Sequence, residues 1–511
     1  MARRYLRAAL PAIVVLAAVV AASAADRRLA DAVERRDFGA AGSLLEAGVP
    51  VDAAQPDGTT ALHWAVRHGA QDVAARLLRA GADPNSTNRY GVTPLALAAT
   101  NGHPGLVAAL LDAGASAHAA TPYGETPLMT AARTGDPEVV RLLIEAGADV
   151  DAKEAWREQT ALMWAAAERN AAAAQVLIEA GADVAARSQA GMTPLLFAAR
   201  SGDIDTVRTL LAGGADIDEA ARDAIPRPPT ADDGDGEEGA EADAADDDAA
   251  EPLPPRLGST PLATAIRNVH YELAAWLVAA GADVNRDGPR GTALHGLVRA
   301  RNCERTAMPC PEQSSTLGSL DLARLLLAHG ADVNARMTAR PPTKGTYDGN
   351  FMSLVGATPL FLAVKASDTA LMRLLLDHGA DVRLGNDDNT TPLLVAAGIG
   401  FLEGQVLAEE AHALEAVAML VERGESVAQT NDMDETALHG AAYRGANSIV
   451  TYLVERGARL DAADDKGLLP VTVADGFRRR GGFQAHDHTA ALLRELMGPD
   501  APPRQTDQGA R

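Results

Sequence analysis

The side chains best suited to metal or redox chemistry are few in this chain. Its two cysteines, Cys303 and Cys310, have six residues between them, whereas a redox dithiol motif has two and a structural zinc site needs about four ligands. In an oxidising compartment we expect these cysteines to form a disulfide that pins a local loop. His486 and His488 form a close pair, but no matching cysteine or carboxylate spacing accompanies them. We therefore predict no metal site.

An acidic stretch carries two apparent ligand motifs. Residues 234–239 fit the glycine spacing of a dinucleotide site, but such a site needs a preceding strand and a following helix that binds phosphate. Asp233, Asp235 and Glu237 alternate as in a calcium loop, whose twelfth position is a glutamate. Here that position is Ala244. We predict neither site.

The wider segment, residues 221–257, is rich in proline at both ends and acidic in the middle. Eleven carboxylates and no basic residue lie between Ala231 and Glu251. Such a composition cannot bury enough apolar surface to order itself, so we expect a disordered insertion. The functional alternative is an acidic arm that contacts a basic partner or a cation.

No set of residues for catalysis stands out. The sequence has no serine nucleophile elbow, zinc-protease helix motif or paired-carboxylate site, so we predict no catalytic residue, no cofactor and no small-molecule substrate. The formal net charge is −23. Nucleic acid and anionic membrane surfaces bind clustered lysine and arginine, so neither is an expected partner.

Three aromatic residues recur at a regular spacing. Tyr90, Tyr123 and Trp156 each lie three or four residues before a threonine of the triplet described below, in a chain with only 4% aromatic residues. Exposed tyrosine and tryptophan are favoured anchors of protein interfaces, so we predict that they contact a protein partner. The alternative is that each covers its own turn. The other three tryptophans fall at apolar helical positions and are expected in the core: Trp64, Trp164 and Trp276.

A repeated triplet gives the chain its period. Thr-Pro-Leu or Thr-Ala-Leu begins at ten positions: Thr60, Thr93, Thr126, Thr160, Thr193, Thr260, Thr292, Thr358, Thr391 and Thr436. Most of the steps are 32 to 34 residues. A fixed period in this range indicates stacked structural repeats, which lets one array extend over the whole chain without one large core.

One period, residues 123–154, can be interpreted position by position. Thr126 can cap a helix through its hydroxyl, and Pro127 suits the first helical position because its missing N–H is not needed there. The sequence at 135–137, Gly-Asp-Pro, ends this helix and begins a second one. Gly147 suits the left-handed end of that second helix. Residues 148–154 connect the second helix to the next period.

This pattern resembles the ankyrin repeat: Thr-Pro-Leu-x-x-Ala-Ala-x-x-Gly, then Val-Val-x-Leu-Leu-Ile-x-x-Gly-Ala-Asp-Val. The resemblance implies an all-α solenoid of about 12 helix-turn-helix units with β-hairpin fingers, over residues 25–498, that binds a protein. Residues 29–52 and 469–497 resemble its terminal caps. It also implies that the histidines after the triplet order the turns: His63, His295 and His439. From Thr390 onward the chain further resembles exported bacterial ankyrin proteins.

Departures from the period locate the insertions. We expect loop insertions at 303–319 and 338–355, further residues between two helices after Thr391, and a disordered tail at 499–511. The 338–355 loop contains enough apolar side chains to pack as a small lid: Tyr347, Phe351, Met352 and Leu354. An enzymatic alternative would place its site among these insertions.

The N-terminus predicts export. Arg3, Arg4 and Arg7 precede an apolar run that ends in Ala-Ser-Ala at 22–24, which is typical of a secretory signal peptide over residues 1–24. We therefore expect a periplasmic or secreted interaction scaffold. The alternatives are an accessory subunit or regulator of a periplasmic enzyme, and a membrane-anchored scaffold if the leader is retained.

Overall fold

The computed structural model describes residues 27–221, 258–286, 288, 291–302, 315–338, 352–400, 410–476 and 485–504. The chain divides into two compact units, with the boundary between Pro255 and Arg256. Both units are helical in their described parts. Two pairing residues, Thr430 and Thr436, form an isolated β-bridge, and the described ranges contain no strand. None of the helices described is both long and apolar enough to cross a membrane.

The described residues of the first compact unit form six helix pairs, which we call repeats 1–6. Their helices are α1 (Arg28–Glu34) and α2 (Phe38–Glu46), α3 (Ala61–Arg67) and α4 (Gln71–Arg79), α5 (Pro94–Thr100) and α6 (Pro104–Asp112), α7 (Pro127–Thr134) and α8 (Pro137–Glu145), α9 (Ala161–Ala167) and α10 (Ala171–Glu179), α11 (Pro194–Ser201) and α12 (Ile204–Ala212).

The part of the second compact unit that the structure describes forms six further helix pairs, repeats 7–12. Their helices are α13 (Pro261–Arg267) and α14 (Tyr271–Ala279), α15 (Ala293–Arg301) and α16 (Ser319–Ala328), α17 (Pro359–Lys365) and α18 (Thr369–Asp377), α19 (Pro392–Ala397) and α20 (Glu410–Glu422), α21 (Ala437–Arg444) and α22 (Asn447–Glu455), α23 (Pro470–Ala474) and α24 (Asp487–Met497). A 3₁₀ turn, Gly498–Asp500, follows. The twelve pairs confirm the predicted helical repeat architecture.

The threonine of the triplet begins the first helix of most repeats. Thr126 has an extended backbone, and its hydroxyl accepts the N–H of Met129. Pro127 follows at the first helical position. Gly135 ends the helix with φ of 90°, a left-handed conformation that glycine adopts without a steric penalty. Local sequence therefore sets both ends of this helix.

The core consists of small and aliphatic side chains between helices. Leu128 and Leu143, from the two helices of repeat 4, are completely buried. Helices of only five to thirteen residues are marginal on their own, so they depend on this packing. First helices of successive repeats contact one another throughout each compact unit.

Polar side chains also join successive repeats. Asn170 donates to the carbonyls of Ala132 and Arg133 at 2.9 and 2.8 Å, which lie at the end of the preceding first helix. Asn101 makes the corresponding contact with the carbonyl of Val66 at 3.2 Å. Helix ends leave carbonyl groups without intrahelical partners, and the next repeat satisfies them here.

The segment between one repeat's second helix and the next repeat's first helix forms a finger. A backbone hydrogen bond of 3.2 Å from Asn88 to the carbonyl of Val92 closes one such finger. A side-chain acceptor five residues before the first-helix N-cap also bonds backbone N–H groups inside many fingers: Asn88, Thr121, Ser188, Ser353, Asn386, Asn431 and, before Leu469, Asp464. The described fingers are thus hairpin-like turns and not paired strands, and local polar side chains hold their backbone in place.

The insertions lie partly outside the described residues. The segment predicted to be a signal peptide, most of the acidic insertion, Cys303, Cys310 and residues 339–351 lie outside them. The described end of the first loop insertion is held by Glu272, whose carboxylate accepts the hydroxyl of Thr316 at 2.8 Å and the N–H of Leu317 at 2.9 Å. At the end of the second, Met352 is buried.

Candidate protein-binding surface

Three aromatic side chains at successive finger tips are exposed to solvent. Tyr90, Tyr123 and Trp156 expose 57%, 72% and 65% of their surface. All three belong to the first compact unit. The structure places these side chains where another protein can reach them, and their role in binding stays a prediction.

Asn88 shapes the finger that carries Tyr90. Its side-chain oxygen accepts the backbone N–H of Tyr90 at 3.0 Å and that of Val92 at 3.1 Å. The guanidinium carbon of Arg89 lies 4.7 Å from the centre of the tyrosine ring, and Nη2 donates to the hydroxyl at 2.5 Å. This tip therefore presents an aromatic ring and a cation together.

Glu154 shapes the finger that carries Trp156. Its buried carboxylate accepts backbone N–H groups from Trp156 at 2.7 Å, from Arg157 at 2.8 Å and from Gln159 at 3.0 Å. The adjacent Glu158 has a φ of 53°, which closes this longer turn. The guanidinium of Arg157 lies 4.7 Å from the indole ring, so this tip also pairs a cation with an aromatic ring.

Backbone hydrogen bonds join the tips of neighbouring fingers. Arg89 donates its N–H to the carbonyl of Asp57, and Ala155 donates to the carbonyl of Tyr123, each at 2.8 Å. Tyr123 and Trp156 therefore lie on fingers that are directly bonded at their tips.

The contact between the fingers of Tyr90 and Tyr123 is of another kind. Pro122 precedes Tyr123, at the position that Arg89 holds before Tyr90, and proline has no N–H to donate. The Pro122 ring instead packs against Gly91, where an added Cβ would lie 2.4 Å from the proline Cδ. Close packing therefore takes the place of a tip-to-tip hydrogen bond here.

A second row of aromatic side chains lies on the solvent side of the first helices. Trp64 and Trp164 form this row and are half-buried, as is Trp276 on the second helix α14, so our expectation of core positions is wrong for all three. Leu62 and Val66 occupy the fully buried face of α3. The apolar character of Trp64 therefore did not reveal that it lies on the half-exposed face of α3 and not on the buried one.

Arginine side chains lie over the rings of this second row. Each guanidinium carbon is 5.1–5.4 Å from a ring centre: Arg67 lies over Trp64, Arg133 over Trp164, and Arg200 over Phe197, whose ring is buried and does not belong to the half-exposed row. The second pair bridges repeats 4 and 5. Guanidinium groups stack on aromatic faces while their edges remain able to donate hydrogen bonds.

A side-chain contact connects the first helices with the fingers. The indole N–H of Trp64 donates to the Gln55 side chain at 2.8 Å. Gln55 opens the finger before α3, where its backbone N–H bonds the carbonyl of Thr59 at 2.9 Å. This contact places the finger beside the solvent face of α3. In repeats 2–6 we call the following residues of the finger tips and first helices the aromatic–arginine face: Trp64, Arg67, Arg89, Tyr90, Tyr123, Arg133, Trp156, Arg157, Trp164 and Arg200.

The histidines after the triplet have a structural role. In His63, Nδ1 accepts the N–H of Thr60 at 3.2 Å, so Nε2 carries the proton and donates to the carbonyl of Val92 in the next finger at 3.0 Å. His295 and His439 make the same contacts at the starts of α15 and α21. Burial lowers the pKa of His63 and of His439. The predicted turn-ordering role is confirmed.

Helix pairs that stack on one another within each compact unit and are joined by fingers define a helical repeat protein. Residues 75–154 and 151–221 match the family model described as ankyrin repeats (3 copies), and residues 57–89, 257–288, 355–387 and 433–465 match the one described as ankyrin repeat. The chain belongs to the ankyrin-repeat family.

Relatives occur in distant organisms. The ankyrin repeat protein YahD of Escherichia coli is 26% identical over 232 residues, which are 41% of this chain and 90% of that protein. An ankyrin repeat-containing protein of Treponema pallidum is 37% identical over 124 residues, covering 24% of this chain and 31% of that protein. A Caenorhabditis elegans homolog of transient receptor potential cation channel subfamily A member 1 is 32% identical over 120 residues, covering 24% and 9%.

The first curated relatives are thus matched over well under two thirds of their own length. Among solved structures, the human ASB11 ankyrin repeat domain matches with a TM-score of 0.35 and 28% identity, over 38% of this chain and 86% of that chain.

Proposed function

We propose that this protein is an exported, non-enzymatic scaffold that binds a protein partner through its finger tips. The observation that carries the proposal is the exposure of Tyr90, Tyr123 and Trp156 on three successive fingers. Repeat arrays offer extended surfaces for protein binding, and large aromatic side chains contribute much of the energy of such interfaces.

The order of the fingers supports this role. Glu154 and Asn88 hold the backbone beside two of the three rings. A finger whose backbone is already ordered before binding loses less conformational entropy in the complex. The tips are therefore suited to bind without rearrangement.

Affinity capture from a periplasmic extract tests the binding. The intact protein is compared with the triple variant Tyr90→Ala, Tyr123→Ala and Trp156→Ala. The matched control is Phe38→Ala with Leu496→Ala, which removes exposed apolar side chains from the first and last repeats. We expect the triple variant alone to lose the partner. Equal recovery by the triple variant and the intact protein would show that the tips are not the contact.

Export is supported by the basic, apolar and small-residue pattern of residues 3–24. Expression of the full chain in a Gram-negative host, with osmotic shock and N-terminal sequencing, tests it. We expect the released protein to begin near Ala25. Protein that stays in the cytoplasm, or in the membrane with its leader intact, contradicts the proposal.

A further inference from the structure

Charge is distributed unequally between the two helices of repeats 2–6. Their first helices carry three arginines and no carboxylate, and Glu168 is the one carboxylate at their C-caps. The second helices of the same repeats carry six carboxylates and four arginines. A basic row therefore follows the first helices of these repeats, in a chain whose net charge is −23.

The three arginines of this row are Arg67, Arg133 and Arg200, each in the last turn of its helix. A cation at that position is favoured by the helix dipole, which offers a purely structural explanation. However, Thr100 and Ala167 take the equivalent place in repeats 3 and 5, so the fold does not require arginine there. The stacking of each guanidinium on a ring is a further feature that the dipole does not explain.

We propose that the aromatic–arginine face binds an extended acidic peptide segment of a partner protein, with apolar side chains between its carboxylates. The guanidinium edges match carboxylates in bidentate hydrogen bonds. The exposed rings of Tyr90, Tyr123 and Trp156 are the anchors for the apolar side chains. Arg89 and Arg157 extend the same pairing of cation and ring to the finger tips. This inference rests on the proposed scaffold function and specifies its partner.

The spacing of the row suits an extended segment. Repeats 2, 4 and 6 supply the arginines, and helices of neighbouring repeats pack about 10 Å apart, so successive arginines are about 20 Å apart. An extended chain spans that distance in about six residues. Carboxylates placed at that interval would reach all three arginines along one continuous segment.

Fluorescence anisotropy on the full chain tests this specificity. The probe is a fluorescein-labelled peptide of repeated Glu-Pro-Leu triplets, and the reference probe has glutamine in place of each glutamate. We expect the intact protein to bind the glutamate peptide at least about tenfold more tightly than the glutamine peptide, because a few exposed charge pairs of modest strength together contribute that difference in affinity. The difference should shrink as added salt screens the charges.

Matched variants locate the binding. The triple variant Arg67→Gln, Arg133→Gln and Arg200→Gln should weaken glutamate-peptide binding about tenfold. Replacement of the same three arginines by lysine should give an affinity between those of the intact protein and the glutamine triple, because lysine keeps the charge and loses the planar donor pair. The control triple, Arg79→Gln, Arg141→Gln and Arg208→Gln, removes the same charge from second helices and should leave binding within about twofold. Circular dichroism confirms that both triples are folded.

Three outcomes overturn the inference: no binding of either peptide, equal binding of both, or equal weakening by the two glutamine triples. Each leaves the scaffold proposal intact if the intact protein still captures a partner through its tips. A captured polysaccharide or lipid in place of a protein contradicts both. The two proposals can therefore fail separately.

Discussion

At the scale of single residues, Glu425 departs from the repeat pattern in a way that affects stability. It follows Gly424 at the position where most repeats have a buried alanine, such as Ala148 or Ala380, and it is itself buried. Its carboxylate oxygens accept the N–H of Leu393 at 3.2 and 3.3 Å. Glu425 thus supports the start of α19, where the triplet threonine makes no side-chain capping bond.

Burial raises the pKa of Glu425 to about 8 from an ordinary value of 4.5, and the carboxylate of Asp381 acts in the same direction. Between these two pH values the folded protein holds a proton that the unfolded chain has lost. Stability contributed by this group is therefore present below pH 4.5 and is lost as the pH rises towards 8.

Replacement of Glu425 by glutamine should stabilise the protein at pH 8 by about 1–3 kcal/mol and have little effect near pH 4.5. Denaturant unfolding at the two pH values measures the difference. Glu422→Gln, an exposed carboxylate on α20, serves as the control and should change little at either pH. A gain for Glu425→Gln that is equal at both pH values would contradict titration as the cause.

At the scale of elements, the sequence predicted helices better than it predicted surfaces. Thr126, Pro127 and Gly135 specify the ends of α7 through their own backbone preferences, so a local pattern suffices. Whether Trp64 packs inward depends on which neighbours cover it, and the repeat pattern alone did not give that information. The finger acceptors were readable in principle, because Asn88 and Asn386 stand five residues before their triplets.

The finger of Trp156 gives a prediction at this scale. Glu154→Ala removes the acceptor for three partly buried backbone N–H groups, so we expect a loss of stability of about 1–3 kcal/mol from the three hydrogen bonds together. Hydrogen exchange should increase at residues 155–159 and stay unchanged in the finger of Asn88. Glu168→Ala, an exposed carboxylate in the same repeat, is the control. Unchanged exchange at 155–159 would mean that the carboxylate does not order this finger.

At the scale of the whole molecule, stability should be distributed along the chain. Within each compact unit, helices contact mainly those of their own and adjacent repeats. The free energy of unfolding of such an array is approximately the sum of contributions from each repeat and from each interface between neighbouring repeats. Damage to one repeat is then expected to spread to its neighbours and to weaken with distance. The twelvefold repetition was readable from the triplet spacing, whereas the division into two compact units was not.

Leu128→Ala and Leu438→Ala form a reciprocal test of this distribution. Both leucines are completely buried, in repeats 4 and 11, and each change should cost about 2–5 kcal/mol. We expect Leu128→Ala to accelerate hydrogen exchange in repeats 3–5 and Leu438→Ala to do so in repeats 10–12. If either substitution accelerated exchange evenly over all described repeats, the chain would instead unfold as one cooperative body.

The proline at position 122 divides the aromatic row into unequal parts. Ala155 fixes the interval between Tyr123 and Trp156 through a backbone hydrogen bond to Tyr123. The interval between Tyr90 and Tyr123 is set instead by the fit of the Pro122 ring against Gly91. A side chain added at position 91 would therefore displace Tyr90 relative to Tyr123 and leave the second interval intact.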